Sequence, residues 1–279
     1  MSLLLEILES GKMKSPIHKL NPRVKLVWWI VMIILPILIT HYIYTIPLVL
    51  LSWVLAVVAK VHKSLGRYLL VTYPALLGFI ILTWPFFYDK GGRVIFTLIP
   101  KWVPLIGGKG AYTVEGLIYG TAMALRIAVA VTASMFFVLC TDMIDLANCI
   151  GEDFQRLGGS YKYPYMVVSS FRFLPSFVGT FGTIKEAYLS RAVALDKGGI
   201  IEKGRKYITL FVPLIDTSLK SAYDMTIAME LKAFGAVPKR TFYKTFKMSA
   251  GDYLFLAFSI LLLIAGIYLR ITGKGVLPL

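Results

Sequence analysis

Two short stretches hold the residue types most able to act on something outside the chain. One is Ala187, Tyr188, Leu189, Ser190, Arg191 and Ala192; the other is Ala228, Met229, Glu230, Leu231, Lys232 and Ala233. Each reads alanine, three residues, a cation, alanine, and the two are offset by 41 residues. An exposed Arg or Lys donates well to the carboxylate or carbonyl oxygens of a partner. A cation in the last turn of a helix is also favoured by the helix dipole, by about 0.3–1 kcal/mol, and that alone accounts for either residue taken singly. The repeat adds a second meaning: two similar prongs fit a partner with two similar sockets.

Catalytic chemistry is not expected. Gly107, Gly108, Lys109 and Gly110 have neither the spacing nor the strand–helix setting of a phosphate loop, so the chain should not hydrolyse ATP itself. His18, His41 and His62 lie far apart with no carboxylate cluster, which argues against a metal site. No nucleophile elbow or paired-acid motif occurs. The reading is of a non-enzymatic protein without cofactor or metal. Cys140 and Cys149 show neither a disulfide framework nor metal spacing and read as packing residues.

The elements that must position the two prongs follow from composition. The 279 residues are 57% hydrophobic and 16% charged, with a mean hydropathy of +0.73. Soluble domains are about 45–50% apolar and about 25% charged. The excess falls in continuous blocks near the roughly 20 residues that cross a bilayer as a helix. They run over about 26–40, 44–59, 68–88, 114–140 and 253–269. The expected fold is all-α: a polytopic membrane protein of about five transmembrane helices with a cytoplasmic helical region. Trp28 and Trp29 near the start of the first block fit an interfacial belt. Residues 89–112 form a Gly- and Pro-rich connection whose apolar pieces are too short to span.

The formal charge of +15 is explained by the positive-inside rule, without nucleic acid. Lys12, Lys14, Lys19, Arg23 and Lys25 precede the first block, Lys60, Lys63 and Arg67 follow the second, and fifteen Lys and Arg fall within 141–248. With five spans these regions share one face, which places the N-terminus and 141–248 in the cytoplasm. The expected organisation is 1–140, an N-terminal segment with four spans; 141–248, a cytoplasmic domain; and 249–279, a last span and tail. Within 141–248, one helix is expected over 165–195, kinked or broken at Pro175. A second is expected from about Asp216 to Phe234, with Asp216, Thr217 or Ser218 capping its start and Gly235 its end. Ile215, Leu219, Tyr223, Ile227, Leu231 and Phe234 form one apolar stripe on it. Ala222, Met225 and Met229 form a second, adaptable one. Arg126 is the clear charge inside a span, and pairing with a carbonyl, a hydroxyl or Glu115 is the structural role expected of it.

The residues carry a resemblance. The opening Ser15, Pro16, Ile17, His18, Lys19, Leu20, Asn21, Pro22, Arg23, Val24, Lys25 and Leu26 resembles the H-x-L-[DN]-P-R-x-K-L entry of the transmembrane component of energy-coupling factor transporters, the EcfT/CbiQ family. Thr113, Gly116 and Leu117 with Arg126 look like its T-x-x-G-L…R segment, and Arg172, Phe173, Leu174 and Pro175 are similar to its R-[FY]-[LI]-P stretch. Ser190, Arg191 and Ala192, and Leu231, Lys232 and Ala233, sit where that family has its two coupling motifs. The resemblance covers about residues 15–270.

It implies a coupling subunit of an ATP-driven importer in the cell membrane. Such a subunit binds two cytoplasmic ABC-type ATPases, which hold the ATP, and one small membrane subunit that captures a vitamin or metal ion. Arg191 and Lys232 would seat on the two ATPases. The helices bearing them would meet the capture subunit, with Leu219, Tyr223, Met225 and Met229 as its contacts. Ala192 and Ala233 stand where the family has glycine, and Lys232 where it has arginine. Alanine is expected to serve if the position stays helical. Two other classes compete: a self-sufficient secondary transporter, which wants polar or acidic groups at the midplane, and a membrane-embedded lipid enzyme, which wants clustered acids.

Overall fold

The computed structural model describes residues 15, 17–87, 94–97, 111–191, 193, 198–237, 241, 244–273 and 275. Its elements are α1 (Pro22–Leu38), α2 (Tyr42–Val58), α3 (His62–Phe87), β1 (Val94–Thr97), β2 (Ala111–Thr113), α4 (Val114–Cys140), α5 (Met143–Arg156), α6 (Lys162–Ser190), α7 (Ile200–Leu231) and α8 (Ala250–Ile271). The chain divides into two compact units. One is Met1–Asp142 with Phe246–Leu279, and the other is Met143–Thr245.

In the first unit the five expected apolar blocks are α1, α2, α3, α4 and α8. Among the described residues, three helices are long and apolar enough to cross a membrane: His62–Pro85, Val114–Cys140 and Ala250–Ile271. The 17 residues of α2 are apolar but span only about 26 Å. The protein is a multi-pass membrane protein. Its helices start where the sequence chemistry says they should. Asn21 caps α1 with Pro22 in the first helical position, and Thr113 caps α4 by accepting from Gly116 N at 3.2 Å. Ser249 and Asp252 form a capping box on α8.

Helix α4 is central and packs against α1, α2 and α3. Its small residues allow close approach: a Cβ on Gly116 would lie 3.0 Å from the backbone of Pro85 on α3. Trp28 is 1% exposed and meets Phe136 of α4 edge-on, with ring centroids 5.0 Å apart. Trp28 is therefore a core residue and not part of an interfacial belt, because the apolar face of α4 offers it an aromatic partner. Trp29 stacks on Phe137 and donates to Ser134 Oγ at 3.0 Å. Cys140 and Cys149 are buried, and neither is in a disulfide. Within 89–112 the sequence reading held no strand, yet β1 and β2 pair antiparallel, with Val94 opposite Thr113 and Thr97 opposite Ala111. The rest of that connection lies outside the described residues.

The second unit is α5, α6 and α7, and it departs most from expectation. Helix α6 starts at Lys162 and ends at Ser190, and it continues through Pro175. Helix α7 begins at Ile200, sixteen residues before Asp216, and continues through Pro213. Asp216, Thr217 and Ser218 are therefore interior and cap nothing. Thr217 Oγ1 donates back to Pro213 O at 2.9 Å and Ser218 Oγ to Leu214 O at 2.6 Å. Asp216 pairs with Lys220 at 2.8 Å. Serine and threonine bond to a carbonyl one turn back as readily as they cap, and residue type alone does not separate the two.

Candidate functional site

The two cations end their helices in the same way. Arg191 is the C-cap of α6, with φ −85° and ψ 17°; Lys232 is the C-cap of α7, with φ −91° and ψ 15°. Beyond Arg191, Val193 N donates to Tyr188 O at 3.2 Å. Beyond Lys232, Phe234 N donates to Met229 O at 2.9 Å, and Ala233 N to Glu230 O at 2.9 Å. The Phe234 bond closes six residues and the Ala233 bond four, which together make a Schellman motif. The six-residue bond recurs at Arg191. Ala192 lies outside the described residues.

Ala233 has φ +50° and is not helical. The expectation that alanine would serve there by staying helical is corrected: a Schellman end needs a left-handed residue just past the C-cap, and here an alanine takes that conformation. Gly235, two residues on, is also left-handed at φ +99°.

Helices α6 and α7 run antiparallel. The Tyr165 hydroxyl lies 3.7 Å from Met229 Sδ, and Phe181 tilts onto Phe211 with centroids 6.5 Å apart. Between these points Ser176 and Thr180 of α6 line a cavity of about 120 Å³ with Ser218, Ser221 and Ala222 of α7. Phe234 packs between Tyr161 and Tyr165, at 5.4 and 4.6 Å, so the end of α7 is seated on the start of α6. Arg191 and Lys232 consequently stand at opposite ends of the pair, on the order of 40 Å of helix apart, taking the 26 residues from Tyr165 to Arg191 at 1.5 Å each. Ser190, Arg191, Leu231, Lys232 and Ala233 are all exposed.

The two stripes of α7 differ. Leu219 and Tyr223 are 65% and 69% exposed, together with Ile215, Ile227 and Leu231. Met225 and Met229 are half-buried, and Met229 faces α6. Helix α6 exposes Tyr163, Met166, Val167, Phe171, Leu174 and Phe177 as well. The sequence reading missed α5, whose short amphipathic pattern is apolar at Met143, Leu146, Ala147, Ile150 and Phe154. These side chains and Tyr163, Pro164, Val167 and Phe171 of α6 line an open apolar cleft of about 320 Å³. Arg172 and Pro175 lie exposed on α6.

Arg126, inside α4, donates through Nε to Pro36 O and through Nη2 to Ile37 O at 3.1 Å. Arg270 donates to Leu38 O at 3.4 Å. These carbonyls end α1 and have no acceptor role within the helix. Two arginines from α4 and α8 thus close the C-terminus of α1. Among the described residues, no three His, Cys, Asp or Glu side chains gather where they could hold a metal.

Comparison with known proteins bears on the family of the chain. The family model described as cobalt transport protein, CbiQ, matches residues 13–243. The energy-coupling factor transporter transmembrane protein EcfT of Staphylococcus aureus is 28% identical over 274 residues, covering 93% of this chain and 94% of that protein. The protein of the same name from Thermosediminibacter oceani is 27% identical over 244 residues, covering 85% and 87%. That from Clostridium kluyveri is 26% identical over 250 residues, covering 86% and 87%. A match over most of the chain, with membrane helices of the right kind, shows that the chain belongs to the CbiQ family of transport proteins, alongside the EcfT transmembrane components.

Proposed function

We propose that the chain is the coupling subunit of an energy-coupling factor importer. It passes the ATP-driven motion of two cytoplasmic ATPase subunits to a membrane subunit that captures a vitamin or metal ion. The observation that carries this is the pair of alike helix ends, with Arg191 and Lys232 as exposed C-caps at opposite ends of an antiparallel pair. Two equivalent prongs about 40 Å of helix apart suit a partner built from two like subunits, each taking one prong. The Lys and Arg distribution supports a cytoplasmic Met143–Thr245 unit and a cytoplasmic N-terminus in the cell membrane. ATP belongs to the partners, and the chain itself catalyses nothing.

Closure of the ATPase pair would move the two prongs relative to each other and shear α6 against α7. Where these helices meet, Ser176, Thr180, Ser218, Ser221 and Ala222 line a cavity together with Phe173 and Phe177, and that space leaves room for a slide. The exposed stripe through Leu219 and Tyr223 is the surface offered to the capture subunit. Met225 and Met229 contribute from its edge.

The test is ATP-driven uptake in proteoliposomes holding the assembled transporter. Truncating one partner of a desolvated charged contact costs about 2–5 kcal/mol. Arg191→Ala and Lys232→Ala are each expected to depress uptake strongly while the chain remains monodisperse and helical. Full uptake by both variants would refute the anchoring role.

A further inference from the structure

Near the start of α1, Ser15, Asn21 and Lys25 are buried and polar in a way that packing of apolar helices does not require. Ser15, Asn21 and Lys25 are only 3%, 4% and 5% exposed. A buried ammonium is costly unless its donors are used. Lys25 Nζ donates to His18 O at 3.0 Å and to Cys140 O at 2.9 Å. Cys140 is the last residue of α4, so this carbonyl has no partner within its helix and lies at the negative end of the helix dipole.

Asn21 makes a second connection. Its backbone N–H donates to Asp252 Oδ1 at 2.8 Å, and its Nδ2 donates to Phe246 O at 3.4 Å. The other oxygen of Asp252, itself 3% exposed, accepts from Ser249 N at 2.8 Å and completes the capping box of α8. Asn21 Oδ1 meanwhile accepts from Arg23 N at 3.1 Å, which holds the asparagine at the start of α1. Asn21 and Lys25 are one helical turn apart, and Lys25 N bonds Asn21 O at 3.4 Å.

These contacts single out two places in the chain. The end of α4 is where the chain leaves for Met143, and the segment from Phe246 to Asp252 is where it returns after Thr245. Both crossings are tied to one turn of α1. We propose that the turn of α1 from Asn21 to Lys25 acts as a clasp that fixes the two crossings against each other, with Lys25 and Asp252 as positioning residues. This rests on the coupling function proposed above. A displacement imposed on the Met143–Thr245 unit can reach the membrane helices through these two crossings of the chain. With the clasp closed, α4 and α8 receive it together. With the clasp open, each crossing yields by itself and the displacement is lost in slack.

The clasp makes a claim that two independent helix caps do not: releasing one crossing loosens the other. Amide hydrogen exchange of the full chain in lipid nanodiscs reads this without any partner. Lys25→Met is expected to speed exchange by about tenfold or more, the scale of one lost charge-assisted hydrogen bond, in residues 138–142 and also in residues 249–254. The amides of α3 should keep their wild-type protection. Asp252→Asn keeps the side-chain shape and carries the test in the opposite direction, so it decides the matter even where Lys25→Met fails to fold. It is expected to loosen 138–142 as well as 249–254. Exchange that changes only at the crossing nearest the substitution, or at neither, would overturn the clasp.

A second arm reads function. In the assembled transporter, Lys25→Met should retain its ATPase subunits yet deliver about tenfold less solute, or lower still, per ATP hydrolysed. A merely destabilised chain would lower the amount of transporter and leave that ratio unchanged, which would also overturn the proposal. If the wild-type chain held no ATPase, the coupling function would fall while the exchange result stood by itself.

Discussion

Ala233 shows how one residue type can conflict with the backbone it must adopt. An L-residue in the left-handed region costs roughly 1–2 kcal/mol relative to its helical conformation, and glycine escapes most of that cost. Ala233→Gly is therefore expected to stabilise the chain by about 1 kcal/mol, seen as a raised Tm in detergent. Ala233→Val should lower it, since a branched Cβ fits that conformation worse. An unchanged Tm in both would mean that the left-handed turn at the end of α7 does not persist in solution. Arg126 invites a different test. Its bonds to the ends of α1 are charge-assisted, and each such bond contributes about 1.5–3 kcal/mol net. Arg126→Met should destabilise the fold by about that amount in a thermal melt. A carbonyl partner for Arg126 was among the roles the sequence offered, but which carbonyls it meets, and the left-handed turn at Ala233, were not readable in advance. Alanine carries no signal for a left-handed turn, although Gly235 and Pro238 nearby mark a helix end. The carbonyls that Arg126 meets lie some 90 residues away in sequence.

Helix α7 is the element whose extent was least visible in the sequence. Between Ile200 and Pro213 it mixes isoleucines, lysines, an arginine, a glycine and a proline, and no single stripe emerges. Pro213 and the polar run after it imitate a break followed by a cap. The helix continues through Pro213 all the same, and the hydroxyls of Thr217 and Ser218 turn back onto helix carbonyls instead of capping a new start. The true start is marked instead by Gly198 and Glu202. Gly198 has φ +111°, and a Cβ there would run into the Glu202 carboxylate. Glu202 bonds Lys206 one turn on at 2.8 Å, and this bond, reinforced by the lysine's charge, lowers the carboxyl pKa from its usual value. The lowered pKa means that the pair stabilises the first turn above the ordinary glutamate range and is lost as pH falls through the lowered value. The pair is exposed, so salt weakens it. An NMR titration should place Glu202 below the usual glutamate range, about 4.3, and Lys206→Ala should return it there. A titration unmoved by Lys206→Ala would show that the pair does not form in solution. Helices α3, α4 and α8 were visible beforehand because length and hydropathy decide them, and α1 and α2 showed as shorter apolar blocks, whereas α5 is too short and too polar to stand out.

At the scale of the whole molecule, the two units differ in what they bury. The membrane unit pairs several polar groups internally, through Lys25, Asn21, Asp252, Arg126 and Arg270. The Met143–Thr245 unit leaves apolar side chains of α6 and α7 uncovered along with its two terminal cations. Exposed apolar surface on this scale marks interaction sites. The order of the family motifs along the chain was legible as a pattern. What the motifs do was not, because Asn21 meets a residue 231 positions away and Lys25 one 115 positions away, and no periodicity carries such pairings. The most direct test of the central claim is co-purification of the tagged chain with its ATPase subunits, wild type against an Arg191→Glu, Lys232→Glu double variant. The coupling account predicts that wild type retains an ATPase pair and that the double variant loses it while staying monodisperse. Retention of the pair by the double variant, or its absence from wild type, would contradict the account.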